Sequence, residues 1–233
     1  MLTKSISFTN FKIKCSLIKI KKNFKIIINE NSQMIMSLNK HYKYSFKKKE
    51  LKKYNKFSYF RVIGMGGSTL GTQTIYDFLK HKIKKKFMFI DNLKLNKKKD
   101  NNKYVNLVVS KSGNTIETIV NSNLYIKKKD KNIFITENNE NYLSILGEKL
   151  KAEIVNHNNY IGGRYSVLSE VGMLPAELMG LKSHNFKQFN ALIKNKRFTN
   201  SLIRNVGATL YFIRKKKYNS IIINYDEQSE SLF

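Results

Sequence analysis

Three short turns rich in glycine and hydroxyl residues hold the chemistry this chain could perform. They are Gly64-Met65-Gly66-Gly67-Ser68, Ser110-Lys111-Ser112-Gly113-Asn114-Thr115 and Ile161-Gly162-Gly163-Arg164-Tyr165-Ser166. Glycine lets a backbone run close to a ligand, because it has no Cβ to block the approach. Arg164 is permanently charged and presents several N–H donors to a sugar oxygen or a developing oxyanion. In the first turn Ser68 is expected to open a helix as both N-cap and ligand donor, where the helix terminus favours an anion. The second turn offers three hydroxyls and backbone amides at a helix start, a cradle suited to a phosphate monoester.

Duller readings stand beside these. A capped helix start would use one hydroxyl of the second turn, that of Thr115 or Ser112, with Glu117 or Thr118 nearby. Lys111 either bridges to a phosphate or faces solvent. Arg164 could pair with Glu117 or Glu170 on the rim. Gly64-x-Gly66, with Asp91 ending the next apolar run, fits part of a dinucleotide fingerprint. Thr69 stands where that fingerprint needs its last glycine, and the other two turns go unexplained by it.

Each turn needs an element to aim it. Tyr59–Ile63, Phe87–Asp91, Val105–Val109, Asn132–Thr136 and Ala152–Val155 are short, nearly continuous apolar or β-rich runs. Helical patterns separate them: Ser68 through Leu79, Thr115 to about Lys127, and Tyr142 to Leu150. Such runs predict strands buried on both faces of a parallel sheet, and right-handed crossovers make it doubly wound. The predicted fold is therefore α/β, a five-stranded parallel sheet flanked by helices. All three turns fall at strand carboxyl ends, where open α/β sheets bind ligands.

The flanks differ in character. Residues 1–55 are basic, with alternating stretches such as Phe24–Ile28 and a helix expected near Asn31 to Asn39, and are read as a segment packing on the main domain. Residues 56–182 form the central domain. Pro175 is expected in the first turn of a helix. Residues 183–233 read as helices followed by a new strand, Ser220–Asn224, the opening of an incomplete second α/β domain.

Composition narrows the class. With 233 residues, 41% of them hydrophobic, the chain can bury a core. A net charge of +28 would suit nucleic acid or an anionic membrane. The lysines are scattered over surface-like segments, such as Lys47–Lys49 and Lys127–Lys129, and travel with Asn and Ile; no nucleic-acid or membrane partner is expected. Cys15 is the only cysteine, which excludes an intramolecular disulfide. His41, His81, His157 and His184 lack ligand spacing, so no metal is expected. Lysines interrupt every apolar stretch of the N-terminus, which argues against a signal peptide or spanning helix and for a cytoplasmic protein.

Together the three motifs resemble the glucose-6-phosphate isomerase (phosphoglucose isomerase) family of the sugar-isomerase (SIS) superfamily. Gly64 through Gly71 is similar to the family's first glycine turn, and Ser110 through Thr118 to its phosphate loop. Asn159 through Ser169 resembles the family signature, with Gly172 as its closing glycine; Glu170 departs from the small residue or proline usual there. The resemblance implies that Gly66, Gly67, Ser68, Ser110, Lys111, Ser112, Thr115 and Gly163 bind a phosphosugar. It implies that Arg164 stabilises an enediolate during cofactor-free interconversion of glucose 6-phosphate and fructose 6-phosphate in glycolysis and gluconeogenesis. It further implies a homodimer at full length, and a catalytic glutamate on a helix of the second domain. Neither Glu227 nor Glu230 sits in that motif, so the chain is expected to be a fragment with little isomerase activity of its own. A non-catalytic SIS-domain sensor is the rival; it would need a helix-turn-helix in residues 1–55, where no convincing helix pair is read.

Overall fold

The apolar runs pair into one all-parallel sheet in the order β2-β1-β3-β4-β5, from β1 (Tyr59–Gly64), β2 (Lys86–Ile90), β3 (Tyr104–Val109), β4 (Lys131–Thr136) and β5 (Glu153–Asn156). The computed structural model describes residues 7–12, 16–93, 102–127 and 129–232. Cys15 and Lys128 lie outside the described residues. The helices, in chain order, are α1 (Ile18–Asn29), α2 (Gln33–Ser37), α3 (Lys48–Leu51), α4 (Leu70–Leu79), α5 (Ile116–Tyr125), α6 (Tyr142–Lys149), α7 (Glu170–Leu178), α8 (Phe189–Lys194) and α9 (Lys196–Arg214).

The chain divides into two compact units. The larger comprises Lys43–Phe186 with Asn224–Phe233 and contains the sheet. Strand periodicity splits its core between two faces. Phe60, Val62, Val105, Leu107, Val109, Ile133 and Ile135 pack on one side with Ile75, Val171, Leu174 and Leu178 from α4 and α7. Ile63, Val108 and Phe134 face the other side with Leu143 of α6. Both faces are covered, which is why these strands read as continuous apolar runs. Tyr44, Phe46, Leu51 and Tyr54, ahead of β1, join the first of these clusters.

Sheet order decides where a ligand can enter. In the order 2-1-3-4-5 the winding reverses between β1 and β3, and a crevice opens at their carboxyl ends. Gly64 pairs with Val109 at those ends, so the first two turns leave the sheet side by side.

Pro175 lies in the interior of α7, not in its first turn. It survives there because the carbonyl it strands finds another donor. Its missing N–H would have bonded the Val171 carbonyl one turn back. That carbonyl instead accepts a hydrogen bond from Thr72 Oγ1 on α4, at 3.1 Å.

The smaller unit comprises Met1–Tyr42 with Lys187–Ile223. Phe24–Ile28 is helical here, inside α1, contrary to its alternating look. Leu17, Ile20, Phe24 and Ile28 are the half-buried positions, spaced three and four apart as on one helix face. The expected helix near Asn31–Asn39 is shorter, Gln33–Ser37, and opens with Ser32 accepting from the Ile35 amide. Ser220–Asn224 forms no strand; Ile221 is 89% exposed. A strand exists only by pairing its backbone, and no described strand lies alongside this segment. No helix among the described residues is long and apolar enough to cross a membrane.

Candidate functional site

The first turn leaves β1 as a short 3-10 helix, Gly66–Ser68, and α4 starts only at Leu70. Ser68 is therefore not the N-cap expected of it. Thr69 stands at that position, and its hydroxyl turns back to the Gly66 carbonyl at 3.2 Å instead of capping α4. Ser68 is half-buried, and its hydroxyl makes no hydrogen bond among the described residues.

The second turn is built around Gly113. Its φ of +68° is a conformation that side chains rarely adopt. A Cβ there would also fall 1.8 Å from Asn141 Oδ1. Asn141 is the N-cap of α6, in a reciprocal capping box with Ser144. The Leu143 amide donates to the Gly113 carbonyl at 3.2 Å and the Tyr142 amide to Asn114 Oδ1 at 3.0 Å, so the start of α6 braces the turn. Ser110 is buried, and its Oγ lies 3.0 Å from Thr115 Oγ1. Thr115 occupies the N-cap position of α5 but gives no side-chain bond to a helix amide. Ser112 Oγ accepts only from the Asn114 amide, at 3.3 Å, outside the helix. The capped-start reading therefore fails: neither hydroxyl caps α5. What remains is a ten-residue helix whose N-terminal partial charge points at a cluster of hydroxyls.

The third turn follows β5. Ile161 is fully buried and anchors it, and Gly163–Leu168 forms a 3-10 helix that carries Arg164 on its first turn. Arg164 is exposed and makes no ion pair among the described residues. Glu170 is not its partner. That carboxylate is 2% exposed and accepts from the Ser45 amide at 3.0 Å, while Ser45 Oγ donates to the Asn156 carbonyl at 2.6 Å. Glu170 thus holds the segment ahead of β1 against the start of α7. Burial, with Glu170 and Glu177 nearby, pushes the Tyr44 phenol up to about 12. Burial also holds the His157 imidazole below its ordinary value, and the charge on Lys111 adds to that effect.

The turns meet. A Cβ on Gly67 would sit 2.4 Å from the Gly163 carbonyl oxygen, so the first and third turns touch only because residue 67 lacks one. Ser166 Oγ donates to the Gly163 carbonyl at 2.8 Å and reaches the Gly67 carbonyl at 3.3 Å. Lys111 does not simply face solvent: its side chain is half-buried and engaged on the protein. Its Nζ donates to the Asn159 carbonyl at 2.6 Å and lies 3.5 Å from Glu137 Oε1. Asn141, Glu137 and Asn159 supply these links, and no spacing in the sequence pointed to them.

Glu227 and Glu230 lie elsewhere in the larger unit. With Leu70, Asp77, Lys80 and Asp91 they line a cleft of about 600 Å³ that includes none of Ser110–Thr115 or Gly162–Arg164. Among the described residues no group of His, Cys, Asp or Glu side chains is arranged to hold a metal ion.

Known proteins are similar to this chain. Residues 32–226 match the phosphoglucose isomerase family. The glucose-6-phosphate isomerase of Methanocaldococcus jannaschii is 32% identical over 197 residues, which cover 71% of this chain and 45% of that protein. The glucose-6-phosphate isomerase of Acholeplasma laidlawii is 35% identical over 142 residues, covering 52% of this chain and 33% of its own length. The chain thus spans less than half the length of these two relatives. The crystal structure of a hypothetical protein from Thermus thermophilus superposes with a TM-score of 0.64 at 20% identity, covering 85% of this chain and 52% of that one, a likeness of fold. With the family match running through both units and all three turns, the chain belongs to the phosphoglucose isomerase family.

Proposed function

We propose that this chain supplies the phosphate cradle and the enediolate-stabilising arginine of a glucose-6-phosphate isomerase. In this reading Ser68, Ser110, Ser112 and Thr115 hold the phosphate of a hexose 6-phosphate, with the backbone of Gly66, Gly67 and Gly163 lying close against the sugar. Arg164 faces the C1–C2 end. A general base takes the C2 proton and returns it to C1, and negative charge develops on the oxygens between. A guanidinium beside that charge lowers the barrier without any cofactor.

The observation that carries the reading is the meeting of Gly67 with Gly163 beside a turn whose hydroxyls cap no helix. That arrangement sets Arg164 on a turn touching the first glycine turn. The base itself is proposed to come from a second domain of the full-length protein, and that protein to be a homodimer.

Calorimetry of these 233 residues with fructose 6-phosphate tests the proposal. Saturable binding at millimolar concentration or below is expected, with fructose much weaker and with no isomerase turnover. Equal binding of fructose and its phosphate ester sinks the cradle; full-rate turnover sinks the assignment of the base to the second domain.

A further inference from the structure

We infer that Lys111 is a positioning residue for Arg164, coupling the second turn to the third. The inference deepens the proposed phosphosugar site and rests on it. Lys111 is held at both ends. Its carbonyl accepts from the Glu137 amide at 3.0 Å and from Thr136 Oγ1 at 3.3 Å, which ties its backbone to the end of β4. Its ammonium reaches across to the Asn159 carbonyl, with the Glu137 carboxylate on its other side. A bond from an ionised donor is about twice as strong as a neutral one. Glu137 supports both ends of the same residue, through its amide and through its side chain.

The segment from Asn159 to Arg164 has little slack. The Ile161 amide closes on the Asn158 carbonyl at 3.1 Å, the Tyr160 amide on Asn158 Oδ1 at 2.9 Å, and the Tyr165 amide on the Gly162 carbonyl at 2.9 Å. Ile161 is fully buried between them. The Asn159 carbonyl is therefore a handle on Gly162-Gly163-Arg164. The other handle is Gly67, whose Cα lies against the Gly163 backbone. One grip comes from the first turn and one from the second, both of them turns of the proposed cradle. Lys111 acts on the phosphosugar through Arg164: the ammonium stays on Asn159 and Glu137, and the phosphate is held by hydroxyls and amides.

A double-variant cycle separates this from direct phosphate binding. Inorganic phosphate and fructose 6-phosphate are titrated into the full chain and into K111M, R164Q and K111M/R164Q, with the Gly162 and Gly163 amide resonances followed in parallel. Expected is inorganic phosphate affinity in K111M within about twofold of the parent, with fructose 6-phosphate weakened about tenfold, as in R164Q. The double variant is then no weaker than either single one, because both changes remove the same interaction. The Gly162 and Gly163 resonances move in K111M, and K111R, which keeps a cationic donor for Asn159 and Glu137, restores most of the affinity. Equal weakening of both ligands in K111M, or losses that multiply in the double variant, overturns the inference. A parent chain that binds neither ligand overturns the site reading itself, a result distinct from any pattern among the variants.

Discussion

Thr72 on α4 completes a helix to which it does not belong: its hydroxyl donates to the Val171 carbonyl, which has lost its helical partner to Pro175. Thr72 is 1% exposed and Val171 2%, so no water can take over the bond. The pair fastens the helix after the first turn to the helix after the third. Gly71 supports the same approach, since a Cβ there would fall 2.6 Å from Val167 Cγ2.

Removing that hydroxyl should therefore cost more than an ordinary surface change. Thr72→Val keeps the shape but orphans a buried carbonyl, a loss of about 1–3 kcal/mol. In Pro175→Ala, α7 regains the N–H that Val171 lacks, so T72V should cost markedly less on that background. Urea midpoints of the four proteins measure this; equal costs on both backgrounds would refute the account.

Gly67→Ala should separate the first and third turns. Its Cβ meets backbone, not the end of a flexible side chain, so the turns must part to admit it. Fructose 6-phosphate affinity is expected to fall by about tenfold or more. Retention of parental affinity by G67A, judged by calorimetry, would mean that contact between these turns does not shape the site.

Arg164 is exposed and without an ion pair among the described residues, so its replacement should leave stability within about 0.5 kcal/mol of the parent. Arg164→Gln should nevertheless weaken fructose 6-phosphate. A fall in the thermal midpoint of several degrees with ligand affinity intact would instead give Arg164 a structural role.

His157 makes stability depend on pH with a definite sign. Its imidazole is buried among Glu170, Glu137 and Lys111, and its folded pKa lies below the ordinary 6.5. The unfolded chain then binds this proton more readily than the folded one. The contribution is fully present above about 6.5 and is lost as pH falls from there through the folded pKa. Urea midpoints should drop between about pH 7.5 and about pH 5.5, and by less in His157→Gln. An identical drop in the two proteins would clear His157 of the effect.

Much of this architecture could be read from the chain alone. The five strands were visible because parallel strands covered on both faces must be apolar throughout, and Phe60–Ile63, Val105–Val109 and Ile133–Ile135 are largely so. The three turns were visible because glycine and hydroxyl residues cluster where a backbone bends sharply beside a ligand. Local rules failed where another element intervened. Pro175 looked like a helix start because the donor that rescues its interior position, Thr72, lies far away in the sequence. Ser68 looked like a cap, but a 3-10 turn over Gly66–Ser68 and the bond of the Thr69 hydroxyl to the Gly66 carbonyl move the helix start to Leu70. Ser220–Asn224 has a strand's composition, but pairing requires a neighbour.

By itself, then, the sequence determined which segments become strands, where the loops bend and which side chains are offered at the carboxyl edge of the sheet, since those follow from local sterics and from burial periodicity. Only the tertiary structure decided that Gly67 lies on Gly163, that Asn141 fills the space under Gly113 and that Lys111 reaches Asn159. Each of those pairings joins residues far apart in the chain and depends on strand order. Reversal of the winding between β1 and β3 sets the first two turns side by side, and no window of sequence contains it.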